Sequence, residues 1–418
     1  MRAKGNGKWL ANVNAHCRFL SPGFLPAGKR LFSLTIKLFL MTSPEKPILI
    51  VGGGIIGLSV GWQLLRHGFA VTLIERDEAG HSASWASAGM IAPHAEAGFE
   101  DMDLLKLDRA SLEAYPQFLD ELKADTDIEV VLDQRGTLIV GLDRDDTLWL
   151  RRLYDFREHL GFPLEWMSGS EAREKEPSLS PKVVSAMWLS KDAQIENREL
   201  LSALRKAFLL KGGSLLEHCE VHEILVKDGR AIGVKTPEEV IEGSEIIMAA
   251  GSWSREIAGI PEALRPPVRP VKGQVMTATR DESCPLECMI RSPRIYLAPK
   301  LNGRLSIGAS TEEKGFHTTP TIGIFRDILD EAWRAVPSIY DLEIEEFIAG
   351  LRPGSRDHAP IIGHSGIDSL IYATGHYRHG ILLAPITAYE ILKLMKKETS
   401  ELLLPFSPMR FHEKTAVK

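Results

Sequence analysis

The 418-residue chain is poor in cysteine: Cys17, Cys219, Cys284 and Cys288 are all it has. So few thiols in so long a chain exclude a disulfide framework and point to a reducing, cytoplasmic compartment. Cys284 and Cys288 form a Cys-x3-Cys pair with no second pair nearby. A structural zinc site takes four ligands, so the pair reads as two buried or edge thiols and no metal is expected. Basic excess is missing as well. Fifty Lys and Arg face 56 Asp and Glu, a net charge of −6, which gives no attraction to a phosphate backbone and argues against nucleic acid. The apolar stretch Leu31–Leu40 carries Lys37 and falls short of the roughly 20 residues that span a bilayer, so no membrane span is expected. Acid is absent from residues 1–40, which hold seven Lys and Arg. Without them the chain has 43 basic and 56 acidic side chains, a net of −13. We read residues 1–46 as an untranslated or disordered extension, with Met41 the initiator. A basic presequence is the second reading and a membrane anchor the third.

What remains is ordinary globular composition, 44% hydrophobic and 25% charged, enough for two or three packed lobes. Residues 47–54 are an apolar run ending in three glycines, the pattern of a buried parallel strand. A helix follows, with Ile55, Ile56, Val60, Leu64 and Leu65 at helical spacing, and stops at His67-Gly68. Ala70–Ile74 is a second buried strand ending at Glu75, which completes one βαβ unit. Residues 101–125 and 143–160 read as helices and 135–142 as a strand. Residues 245–251 and 370–375 read as further buried strands with glycine ends, and an apolar helix runs from about 386 to 395. Between them, 271–280, 294–300, 304–311 and 341–349 have the mixed polarity of an antiparallel sheet, with turns such as Asn302-Gly303.

Gly52-Gly53-Gly54-Ile55-Ile56-Gly57 fits G-x-G-x-x-G, follows a strand, opens a helix, and precedes the acid Glu75 at the end of the next strand. In that context it is a dinucleotide fingerprint. Gly52 permits the tight turn, Gly54 lets the backbone approach a pyrophosphate, and Gly57 lets the helix sit close on the strand. The phosphates then meet free amides at the helix start, and Glu75 accepts from ribose hydroxyls. NAD and FAD both use this unit. The small-residue run Ser82–Met90 favours FAD, since backbone can approach a large flat ring there.

Five segments resemble the glycine/D-amino-acid oxidase family of flavoproteins: 50–57 (IVGGGIIG), 87–96 (SAGMIAPHAE), 270–274 (PVKGQ), 349–363 (AGLRPGSRDHAPIIG) and 375–385 (GHYRHGILLAP). The likeness covers most of 47–400. It implies an α/β fold in which a Rossmann-type FAD-binding domain (47–125, 187–265 and 345–400) is interleaved with an antiparallel-sheet substrate domain (126–186 and 266–344), followed by a tail, 401–418. It implies that FAD meets Ile55 and Ile56, Glu75 and Arg76, Ala83 and Ser84, and Ala88, Gly89 and Met90. Val221 would lie beside the adenine. The turn His376, Tyr377, Arg378, His379, Gly380, Ile381 and Leu382 would close over the flavin. Arg352 and Arg378 resemble substrate-binding arginines and Tyr296 a substrate-side tyrosine, while Arg294 stands where the family pattern has histidine.

The residues support those roles on their own terms. A guanidinium is the best planar partner for the carboxylate of an amino acid. Arg352 is expected at a strand end before Pro353-Gly354, and Arg378 in a glycine-flanked turn. His376 and His379 are read as backbone contributors and His94 as packing. No side-chain acid or base is required. With no cysteine after 288, FAD is expected to bind without a covalent link. The expectation is an oxidase of glycine, with sarcosine or small D-amino acids as further substrates and dioxygen as the second substrate; another flavin amine oxidase or dehydrogenase acting on sarcosine or D-amino acids is the second reading, and a non-catalytic FAD-binding assembly factor a remote third. The resemblance also implies a homotetramer and an imine product that feeds thiamine synthesis.

Overall fold

The structure, a computed structural model, describes residues 46–99 and 102–412. The readings made for residues 1–45, Cys17 included, lie outside the described residues.

The apolar runs become the strands of a six-stranded sheet. Its order is Ile361–His364, Leu370–Thr374, Ile246–Met248, Ile48–Val51, Val71–Ile74 and Ser214–Leu216. All pairings are parallel except the outermost, where Ile361–His364 runs antiparallel to Leu370–Thr374. Every residue of Ile48–Val51, Ile246–Met248 and Leu370–Thr374 is buried. A parallel sheet covered on both faces needs unbroken apolar strands, which is why these were visible in the sequence. The helix Ile55–Arg66 packs against both Asn197–Leu210 and Ala384–Met395. Gly68, at φ +83°, ends the first of them as the sequence predicts.

The second sheet has eight strands, in the order Glu343–Gly354, Arg269–Thr279, Arg304–Gly308, Tyr296–Pro299, Met289–Arg291, Thr137–Gly141, Ser185–Leu189 and Leu164–Ser168. It is antiparallel but for one pair, Met289–Arg291 beside Thr137–Gly141. The predicted strands at 271–280, 294–300 and 304–311 are here within a few residues. The strand read at 341–349 runs on to Gly354, and Arg352 faces Val271 inside it rather than standing at its end. Pro353 does not stop the strand because this is the sheet's edge, where a missing N–H leaves no inner ladder broken. Cys284 and Cys288 are buried in this lobe's core, with Ile290 and Leu297.

The short strands Leu164–Ser168 and Ser185–Leu189, the helix Ile322–Ala335 and a small antiparallel sheet over 223–242 had no counterpart in the sequence reading. Among the described residues no helix is long and apolar enough to cross a membrane.

Candidate functional site

One cavity of about 620 Å³ runs from the glycine loop to the eight-stranded sheet, within the usual range for a cofactor or ligand site. At the loop end, Gly52 has φ +105°, and a Cβ on it would lie 2.4 Å from the Ala249 carbonyl oxygen. A Cβ on Gly57 would lie 1.9 Å from the Gly52 oxygen. Gly57 does not line the cavity; it lets the helix settle on the turn, as its place in the motif requires. Gly54 differs, since a Cβ there would meet only the Ser84 hydroxyl, at 3.4 Å. The polypeptide leaves that position open, as close approach of a phosphate demands. The first helical amide, Ile55 N–H, donates to Ser84 Oγ at 3.0 Å, and Gly54, Ile55 and Ile56 line the cavity. A helix start keeps further unpaired amides in its first turn and the positive end of its dipole, which make it an anion site.

Glu75 ends the second strand with both oxygens fixed: Gly53 N–H donates to Oε2 at 2.6 Å and Asp77 N–H to Oε1 at 3.0 Å. Arg76 lies over the Trp253 ring, 4.3 Å from its centre, and Trp253 stacks on Phe316. Val221 and Cys219 line the same cavity. Ala83, Ser84, Ala88, Gly89 and Met90 form its wall, and the turn His376–Leu382 lines it as well. The fit to FAD rests on this glycine cradle, the helix start that lines the cavity and a wall of small side chains.

The turn is held by one face of the long helix Met102–Thr126. Ser111 donates to the Leu382 oxygen at 2.6 Å and Tyr115 to the Ile381 oxygen at 2.5 Å. Asp108 Oδ2 stands 3.0 Å from His379 Nδ1. Burial alone lowers the pKa of His379, but Asp108 outweighs it and the net shift is upward. His376 is buried, held at about 3 by burial and by His379, and its Nε2 lies 3.0 Å from Thr387 Oγ1. It is a neutral spacer. His94, read as packing, is buried edge-on to Phe162 with its Nδ1 2.8 Å from Asp192.

The other end of the cavity gathers charge. Arg352 donates through Nη1 to the Ser310 oxygen at 2.9 Å, and Arg378 through Nη2 to Thr311 Oγ1 at 3.3 Å. Among the described residues neither arginine has a carboxylate in an ion pair. Withdrawal from water lowers the pKa of Arg352, Arg378 adds to that, and Tyr296 opposes it. The surface that Arg352 and Tyr296 keep open faces the cavity. Loss of bulk water pushes the Tyr296 phenol up to about 12, so it stays a donor at neutral pH. Arg294 also lines this end, but its guanidinium is drawn 2.6 Å from Glu331 and the side chain is 65% exposed.

The structure thus brings Arg352, Arg378 and Tyr296 together, with the predicted cofactor residues at the opposite end and along the wall. The sequence reading missed three partners. Glu96 and Arg291 form an ion pair lining the cavity, from positions 195 residues apart. Glu96 closes the SAGMIAPHAE segment, which was its only sequence signal; Arg291 had none. Gly273, in the PVKGQ segment, lies against Arg352.

A dinucleotide cradle and a paired-arginine pocket share one cavity, the arrangement of an oxidoreductase that holds its cofactor beside its substrate. Residues 47–394 match the family model described as FAD dependent oxidoreductase, DAO. The chain belongs to that family and is an FAD-dependent oxidoreductase. Among its relatives, the bifunctional protein ThiO/ThiG of Synechocystis sp. is 35% identical over 87% of this chain and 54% of its own length. The chain spans about half the length of such bifunctional relatives. The glycine oxidase of Bacillus subtilis is 30% identical over 84% of this chain and 94% of its own. The crystal structure of glycine oxidase from Geobacillus kaustophilus superposes with a TM-score of 0.83 at 30% identity, covering 88% of this chain and 99% of that one.

Proposed function

We propose that the chain is an oxidase of the carbon–nitrogen bond of glycine, with sarcosine and small D-amino acids as related substrates. One observation carries this reading: Arg352 presents a guanidinium to the cavity with a backbone carbonyl as its partner and, among the described residues, no carboxylate in an ion pair with it. A charge so placed calls for an anion. The relatives named glycine oxidase support the choice of amino acid.

Arg352 takes the substrate carboxylate in a planar pair. Arg378 adds positive charge at the cavity mouth, and the Tyr296 hydroxyl donates to the same anion. These contacts fix the α-carbon, so the residues contribute orientation and electrostatics rather than proton transfer. Bound FAD supplies the hydride acceptor and, with dioxygen, hydrogen peroxide. The amino acid leaves as an imine, which hydrolyses to glyoxylate and ammonia or feeds thiazole synthesis for thiamine; the ThiO/ThiG relatives support the second route.

We assign FAD, held without a covalent link, to a domain built on the six-stranded sheet, and substrate to one built on the eight-stranded sheet. We further infer a cytoplasmic homotetramer, supported by cysteine scarcity and by the family likeness. Peroxide release measured in parallel with glycine, sarcosine and D-alanine tests the reading. Glycine-dependent peroxide at a rate comparable to or above the others supports it, and none with any of the three refutes it.

A further inference from the structure

Of the two oxygens of Glu96, one is taken and one is free. Arg291 donates to Oε1, and among the described residues no donor bonds Oε2. The carboxylate lines the cavity with 15% of its side chain accessible. It ends the short helix Pro93–Glu96, whose start is anchored by Asp192: the amides of His94 and Ala95 donate to that carboxylate, at 3.1 Å each. Arg157, buried behind, donates to the Ala95 and Ala97 oxygens at 2.9 and 3.1 Å. The segment is fixed from both sides, and Arg291 fixes the side chain itself.

Burial acts against the charge of Glu96. Arg291 beside it, with His379 and Arg378 further off, still holds its carboxyl at about 2. It is therefore an anion at every working pH. The other acids lining the cavity are Glu75, committed to the glycine loop, and Glu220 and Glu256, which lie in sequence beside Val221 and Trp253 of the cofactor end. Glu96 alone shares the end that holds Arg352, Tyr296 and Arg378, and its charge acts on both Arg352 and Tyr296.

An α-amino acid is a short dipole, with an anion at one carbon and N–H donors at the next. A pocket that orients it needs a cation and an acceptor close together. We propose that Glu96 Oε2 is the acceptor for the substrate's amino group, so that Arg352 and Glu96 grip the two ends of one molecule and Arg291 is the positioning residue for Glu96. The proposal rests on the function given above and narrows its substrate class to carboxylates bearing a primary or secondary α-amine. A bare carboxylate satisfies Arg352 only. A tertiary amine, in the neutral form that gives up hydride, has no N–H for Glu96.

The test is Glu96→Gln, with FAD retained as judged by its visible absorbance. Glycine KM and kcat are measured by peroxide release, and the affinity for acetate by the perturbation of the flavin spectrum. Losing a hydrogen bond to a charged acceptor should raise glycine KM roughly tenfold or more, with kcat changing much less. Acetate affinity should hold or tighten. If Glu96 only neutralises Arg291, freeing that guanidinium strengthens glycine and acetate together, and this result overturns the proposal, as does an unchanged glycine KM. A measurement on the unaltered enzyme stands independently of any variant's folding: N,N-dimethylglycine should be oxidised at least about tenfold less efficiently than sarcosine, and equal efficiency overturns the amine contact. An unaltered enzyme whose flavin glycine does not reduce refutes the function itself, whereas reduction by glycine with indifference to Glu96→Gln refutes the amine contact alone.

Discussion

The guanidinium of Arg352 lies broadside on Gly273. A Cβ built on that glycine would be 2.4 Å from Cζ, Nη1 and Nη2 alike, so the plane of the head group rests on the glycine's α-carbon. The two residues are diagonal neighbours on adjacent strands, Arg352 being paired to Val271 and Gly273 to Gly350. The glycine of the PVKGQ segment is thus explained by the arginine it seats.

Gly273→Ala should therefore mimic, in part, the loss of Arg352. Removing one partner of a desolvated charge pair costs about 2–5 kcal/mol, so Arg352→Ala should lower kcat/KM for glycine at least ~30-fold. Gly273→Ala should lower it roughly tenfold, mostly through KM, with FAD content unchanged. Steady-state peroxide assays on both variants check this.

The glycine loop separates two kinds of need. Gly57→Ala puts a methyl 1.9 Å from the Gly52 oxygen, and the turn cannot form; that variant should fail to fold around the loop. Gly54→Ala has room in the polypeptide, with only Ser84 Oγ nearby at 3.4 Å. It should fold with an unaltered circular dichroism spectrum yet bind FAD at least about tenfold more weakly, because the methyl occupies the space of the approaching phosphate. Equilibrium titration with FAD reads the difference.

Lys300 is buried, its Nζ donating to the Ile195 oxygen at 2.9 Å behind the Gly89 wall. Burial pulls its pKa down to about 7, with Glu196 and Asp133 pulling the other way. In the unfolded chain a lysine titrates near ~10.4. Between those values the unfolded state binds more protons, so this residue's contribution to stability grows as pH rises from 7. Below pH 7 both states are protonated and the cost of the buried charge is borne in full. The stability of the unaltered protein relative to Lys300→Met should therefore increase between pH 7 and 9 in denaturant titrations. A fall in that relative stability over the range contradicts the assignment.

Tyr115 and Ser111 hold the turn through the carbonyls of Ile381 and Leu382. Tyr115→Phe leaves a buried carbonyl without its donor, at about 1–3 kcal/mol. The expected result is a lower denaturant midpoint together with faster loss of FAD on dilution, since the turn it anchors lines the cofactor cavity.

The sequence disclosed those parts of the site whose cause is local. The glycine loop is one, because tight turns and close approach act within six residues. The strands Ile48–Val51 and Leu370–Thr374 are others, because burial on both faces leaves unbroken apolar runs. Arg352 was found through its flanking motif, but its place inside the strand was hidden by Pro353, which an edge strand tolerates. The helix Ile322–Ala335 and the strands Leu164–Ser168 and Ser185–Leu189 take their definition from packing in the eight-stranded lobe. Glu96 and Arg291 meet across 195 residues; nothing in the neighbourhood of either announces the other.

The proposed role of Arg352 is to hold the carboxylate of glycine while glycine reduces the bound flavin. It is tested most directly by mixing glycine anaerobically with the yellow protein and following the flavin absorbance. The unaltered protein should bleach, and Arg352→Ala should need at least ~30-fold more glycine to bleach at the same rate. No bleaching of the unaltered protein, or equal bleaching of both, would contradict it.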